Sequence, residues 1–307
     1  MNSTYSKFEE WCIKLEKATG VSYLIVFKNP LEQIKENWNK NSYETDVFIN
    51  TVLEDLNTQN QHELIVEFVE IIFPYLQSGN NTKLLLSMLV NAGVASDKVG
   101  RSGAAAAMYQ KAETIVYNAN MVFDIEASRI AGSLFYNKAK LLLERDRVAA
   151  VQSLFEAIDY FKAGGYKGGI ARCMNMHAYT MPKERNYERI DLYLKAADLF
   201  EEENDINSQA MAFANVGERL IENGDAAHGI QYIQKALELN KQNHNPFYLG
   251  YTYMMLAEAY CAMKDWAKAK EFTTAAEADL HKANILVYAK RLDAIKSIIE
   301  AHSTINK

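Results

Sequence analysis

FANVGERLIENGDAAHGIQYIQKALEL, residues 213–239, and YMMLAEAYCAMKDWAKAKEFTTAAEAD, residues 253–279, align without a gap. Val216 falls on Leu256, Gly217 on Ala257, Leu220 on Tyr260 and Ala236 on Ala276. Each stretch reads as a helix, a short turn at Asn223-Gly224-Asp225 or Lys264-Asp265, and a second helix. A small residue stands where the first helix of each pair meets the second, and another lies late in the second helix. Two helices approach closely only where some contact positions lack bulk, and large residues opposite fill the space.

Weaker copies keep the same frame upstream. Residues 89–113 place Gly93 on the first helix, with Ala105 and Ala112 on the second. Residues 134–158 place Ala150 and Ala157 on a second helix, after a turn at Arg145-Asp146. Residues 174–200 carry Ala178 and Ala197, with a longer turn that contains Pro182 and leaves the register of the first helix open by a few residues. The late alanines are 112, 157, 197, 236 and 276, spaced by 45, 40, 39 and 40 residues. Tyr109, Leu154, Leu194, Ile233 and Phe272 are the expected filling residues. One hairpin cannot bury its apolar face, so stacking of units supplies the core.

These residues resemble the tetratricopeptide family, whose unit is two antiparallel helices. The resemblance covers about residues 82–300. The spacing exceeds the family's standard unit of about 34 residues, as in the lengthened units of attachment-protein-like and bacterial peptide-sensor subfamilies. It implies an all-α fold, a right-handed superhelical array of antiparallel helix pairs. The expected organisation is an N-terminal helical region over 1–80, about five hairpins over 81–283, and a C-terminal capping helix with its tail over 284–307. Helical apolar spacing also marks 5–18, 45–57 and 61–78. Val21–Phe27 reads as either a strand or a buried helix, with helix favoured because no other segment offers a strand partner.

Composition supports this reading. Proline occurs only at positions 30, 74, 182 and 246 of 307 residues, leaving long stretches free of the strongest helix breaker. The net charge is −6 with interspersed signs, and no basic stripe of the kind that binds nucleic acid is present. Three distant cysteines, Cys12, Cys173 and Cys261, do not form a disulfide framework. The N-terminus lacks the apolar core of a signal peptide, and no run is long enough for a membrane span. The expectation is a cytoplasmic protein without membrane insertion.

No phosphate-loop, zinc-protease, nucleophile-elbow or CxxC motif occurs, so no catalytic residue, metal or cofactor is expected. Cys173 and His177, four apart, would give a metal two ligands but lack two more, and read as ordinary packing. Gly164–Gly169 would offer N–H groups to a phosphate, but reads as the turn between hairpins. Glu201-Glu202-Glu203 and Asp205 read as a solvated acidic face, or as a contact for a basic partner.

The candidate binding residues lie on the first helix of each pair. In the resembled family that face lines a concave groove where peptides lie. The frame places Asn91, Tyr136, Asn175, Asn215 and Met255 at matching or nearly matching positions, with Met254 before Met255 and Glu218 and Glu258 further along. An asparagine row can pair with the main chain of an extended peptide. The same asparagines can instead bridge neighbouring helices or face water. The lysine and arginine of the family's carboxylate clamp are missing, which disfavours chaperone-tail binding. The resemblance therefore implies a protein- or peptide-binding scaffold. The alternatives are a peptide-gated regulator resembling bacterial receptors and an attachment-protein-like adaptor of membrane fusion.

Overall fold

Aspartate and asparagine open many of the helices. In the computed structural model, which describes residues 3–20, 43–76, 81–118, 123–244, 246–282 and 288–305, the Asn81 side chain accepts from Leu84 N–H at 3.0 Å. Asp124, Asp146, Asp205, Asp225 and Asp265 each accept from the N–H three residues on, at 2.7–3.3 Å. Each satisfies a donor that the first helical turn leaves unpaired. Just before four of these caps or helix starts the chain turns through the left-handed region, at Gly100, Asn204, Gly224 and Lys264. A single such residue lets one helix stop and the next begin almost at once.

The helices are α1 (Ser3–Thr19), α2 (Tyr43–Thr58), α3 (His62–Leu76), α4 (Thr82–Lys98), α5 (Ser102–Asn118), α6 (Ile125–Leu142) and α7 (Arg147–Ala163). They continue as α8 (Lys167–Thr180), α9 (Asn186–Glu202), α10 (Ile206–Glu222), α11 (Ala226–Asn243), α12 (Pro246–Ala262), α13 (Trp266–Lys282) and α14 (Ala289–Ile305). A short 3-10 turn, Lys183–Arg185, follows Pro182 between α8 and α9. Among the described residues there is no strand. The ambiguous segment 21–27 lies outside them. No helix among the described residues is long and apolar enough to cross a membrane. Helices α4 to α13 pair consecutively into five hairpins, preceded by α1–α3 and followed by α14.

Two compact units divide the chain, Met1–Gly165 and Tyr166–Lys307. In the first, Trp11 stacks on Phe68 with ring centroids 4.7 Å apart, and its indole N–H donates to Leu64 O at 2.9 Å. A Cβ added to Gly93 of α4 would lie 2.2 Å from the Tyr109 ring of α5, and one at Gly132 of α6 would lie 2.5 Å from Phe161 of α7. The large residue of one helix occupies the space the glycine of the other leaves.

The second unit repeats the device more tightly. A Cβ at Gly217 would meet Ile233 Cγ1 at 2.5 Å and the Gly229 carbonyl at 2.7 Å. Ala112, Ala157, Ala197, Ala236 and Ala276 are all fully buried. Of the expected filling residues, Tyr109, Leu154 and Ile233 are buried, whereas Leu194 and Phe272 are half-buried. Tyr193 holds the deep position beside Leu194, and Phe272 stacks on Tyr260 at 5.4 Å. Leu292, Ile295 and Ile299 of α14 join the core that α10–α13 build. That contact closes the last hairpin.

Candidate functional site

Each asparagine of the expected row is half-buried on the first helix of its pair, the A helix. In the first unit, Asn57 of α2 donates to Asn91 Oδ1 at 2.9 Å, and Asn91 Nδ2 donates to Ser87 O at 2.9 Å within α4. Both ends of the Asn91 amide are engaged, so this asparagine bridges neighbouring helices. Tyr136 of α6 is half-buried. The position equivalent to Asn91 is Asn137, whose Nδ2 donates to Ser133 O at 2.8 Å just as Asn91 donates to Ser87. The two sequences, SMLVN (87–91) and SLFYN (133–137), share this serine-to-asparagine spacing. That is the signal that separates Asn137 from Tyr136.

In the second unit the rungs come from α8 and α10. Asn215 Nδ2 donates to Asn175 Oδ1 at 3.3 Å. That bond uses one N–H of Asn215 and one lone pair of Asn175. An amide carries two N–H donors and an oxygen with two lone pairs, so most of this pair's capacity remains for another polar group.

Glu218 and Glu258, the next positions along α10 and α12, are brought together by a residue the sequence reading did not single out. Arg291 of α14 grips Glu258 through Nε and Nη2, both at 2.5 Å, and reaches Glu218 from Nη2 at 3.3 Å. The two-pronged bond to Glu258 holds the guanidinium above its ordinary pKa. The Tyr251 ring lies 6.0 Å from it, and burial, aided by the Glu218 charge, pushes the Tyr251 phenol up to about 12. On its other side Glu218 pairs with Arg219, whose guanidinium also meets Glu222 at 2.8 Å. Both expected ligand carboxylates are thus engaged by arginines of the chain itself.

Met254 and Met255 are corrections. Both are buried, at 0% and 1% exposure, within the core of the second unit. Helix α12 packs against α10, α11, α13 and α14, and Met254-Met255-Leu256-Ala257 is apolar in every direction. A helix hydrophobic all round is buried all round, so neither methionine presents a surface to a ligand.

The remaining candidates resolve into structure. Cys173 is fully buried, and burial pushes its thiol up to about 12. Burial, followed by the Arg185 charge, holds His177 below its ordinary range. Among the described residues no three His, Cys, Asp or Glu side chains gather as a metal site would require. Gly164 caps α7, with Arg129 Nε donating to its carbonyl at 2.8 Å, and Gly165 turns through the left-handed region. A Cβ at Gly164 would lie 2.8 Å from Arg129 Cγ, which accounts for the glycine. In the acidic run, Glu202 pairs with Lys167 and Asp205 with Arg172.

No protein-family model matches the chain, and no curated protein does. Solved structures do. Aspartyl phosphate phosphatase F from Bacillus subtilis is 15% identical with a TM-score of 0.62, over 97% of this chain and 80% of that one. A Rap protein complexed with competence and sporulation factor is 15% identical with a TM-score of 0.60, over 94% and 79%. A signal transduction ATPase with a tetratricopeptide repeat sensor, from Pyrococcus horikoshii, is 17% identical with a TM-score of 0.56, over 88% and 42%. At such identities the likeness is one of fold, and it agrees with the spaced alanines, the glycine contacts and the consecutive hairpins. This chain has the fold of the tetratricopeptide-type helical-repeat proteins.

Proposed function

We propose that the chain is a polypeptide-binding adaptor, and that the A-helix face of its second unit receives an extended segment of the partner. The observation that carries this reading is the Asn175–Asn215 pair: two half-buried amides on adjacent A helices, joined to each other at 3.3 Å and with donors and acceptors to spare. A main chain needs both donors and acceptors, and a pair of amides on a rigid scaffold supplies them without selecting a side chain. The solved Rap protein of like fold holds competence and sporulation factor, which supports a ligand-binding use of this architecture. The buried, protonated Cys173 thiol is poorly suited to nucleophilic chemistry, in keeping with a binding role. Glu218 and Glu258 belong to the internal clamp with Arg291, which confines the proposed contact to the asparagine pair and the surface beside it.

The test is retention of native partners from cell extract on immobilised protein, quantified by mass spectrometry, with Asn175→Ala/Asn215→Ala as comparison. Each lost hydrogen bond should weaken binding by about 0.5–1.5 kcal/mol. The double variant is expected to keep the parent's melting temperature and lose partner. A variant that retains every partner at full affinity excludes this face. One that melts early shows that the pair is structural.

A further inference from the structure

The second unit carries another recess, on the side formed by the second helices of its pairs. It is a cleft of about 510 Å³ walled by α9 and α11 and floored by α10, within the range of pockets that hold ligands. Gln209 of α10 lines it. This side chain is only 8% exposed, and among the described residues its amide has no hydrogen-bond partner. Its polar atoms are not enclosed, so the amide opens onto the cleft, where a ligand's main chain can bond it.

The rest of the lining narrows the partner's chemistry. Gln231 and Gln234 stand one turn apart on α11, and Glu238 is a further turn along. At about 1.5 Å per residue these polar groups span roughly 10 Å, the length of about three residues of extended chain. Phe213 and Leu239 supply apolar surface between them. Lys235 is turned onto aromatic faces, 4.7 Å from the Tyr232 centroid and 5.8 Å from Phe213, which seats its ammonium against the rings while it keeps its charge. Two carboxylates remain on the walls. Glu238 shares the exposed Lys241 at 2.8 Å, and Glu201 forms no ion pair among the described residues.

We infer that this cleft is a second binding site, for an extended polypeptide segment that sets a lysine or arginine beside an apolar side chain. Gln209, Gln231 and Gln234 meet its main chain. Phe213 and Leu239 receive the apolar side chain, and Glu201 with Glu238 receives the cation. This site is separate from the asparagine pair and stands or falls independently of it.

The experiment is panning of a phage-displayed random heptapeptide library on the full chain. Synthetic copies of the enriched peptides are then titrated against the parent, Gln209→Leu, Glu201→Gln/Glu238→Gln, and Asn175→Ala/Asn215→Ala. The expected result is a class of peptides pairing Lys or Arg with an adjacent Leu, Ile or Phe. Their affinity should fall about three- to tenfold in Gln209→Leu, fall in the glutamate variant, and stay unchanged in the asparagine variant. The glutamate substitutions lie at the surface and serve as the readout if Gln209→Leu alters the fold. Enrichment of no peptide overturns the inference. So does a set of peptides all held as tightly by both cleft variants as by the parent. Peptides lost only in the asparagine variant also reject the cleft, while supporting the A-helix face.

Discussion

Gly217 and Gly229 face each other where α10 crosses α11. A Cβ on Gly229 would lie 2.7 Å from the Gly217 carbonyl and 2.6 Å from Ile221 Cγ1. Backbone cannot yield as a flexible side chain can, so the added methyl forces the helices apart. Alanine gains up to about 1 kcal/mol of helix propensity over glycine, but overpacking a tight contact costs about 1–3 kcal/mol. Gly229→Ala is expected to lower stability on urea denaturation. Gly103, with nothing within 4 Å of its added Cβ, provides the control, and Gly103→Ala should be neutral or stabilising. Gly217 was legible from the repeat alignment, because it falls opposite Ala257. Gly229 was not, because its partner position, Ala269, already bears a methyl. Asn137 was missed for a related reason: the frame of a weak repeat slips by one residue, and only the serine four positions earlier corrects it.

At the scale of the element, α14 shows what a sequence pattern conveys and what it withholds. A capping helix was expected to close the array, and Leu292, Ile295 and Ile299 do join the core of α10–α13. The reach of Arg291 to Glu258 and Glu218, 33 and 73 residues away, has no local signature, so both glutamates read as ligand groups. Removing the guanidinium leaves two carboxylates, each about one-third exposed, without their shared partner. Hydrogen bonds to charged groups contribute about 1.5–3 kcal/mol when well formed, and partial exposure reduces this. Arg291→Ala is therefore expected to destabilise the chain by about 1–2 kcal/mol in urea titrations. Arg291→Lys should recover only part of the loss, because an ammonium cannot form the two-pronged bond. Equal stability of all three proteins would mean the clamp is solvent-exchanged and contributes nothing.

Across the whole molecule, the five late alanines foretold five hairpins, whereas the division after Gly165 was not legible. Gly164-Gly165 has the composition of any turn between hairpins, and periodicity reports which helices pair without reporting where contacts thin out. The division makes a prediction of its own. The core clusters of the second unit draw on residues from Ala171 to Ile299, all from α8 to α14, and the Arg291 clamp also lies inside that span. In a repeat protein, stability is approximately the sum of each repeat's own contribution and its contacts with immediate neighbours. A fragment of residues 166–307 keeps three hairpins, their mutual contacts and the closing helix. It is expected to be helical by far-ultraviolet circular dichroism and to unfold in one sigmoidal transition. Ala236 is fully buried in this unit, close to Ile233 and Leu237 in the same core. Ala236→Leu should therefore overpack the fragment by about 1–3 kcal/mol, and by the same amount when that transition is followed in the full chain. A fragment that is unfolded, or that melts gradually with no response to the substitution, would show that the second unit draws its stability from the first.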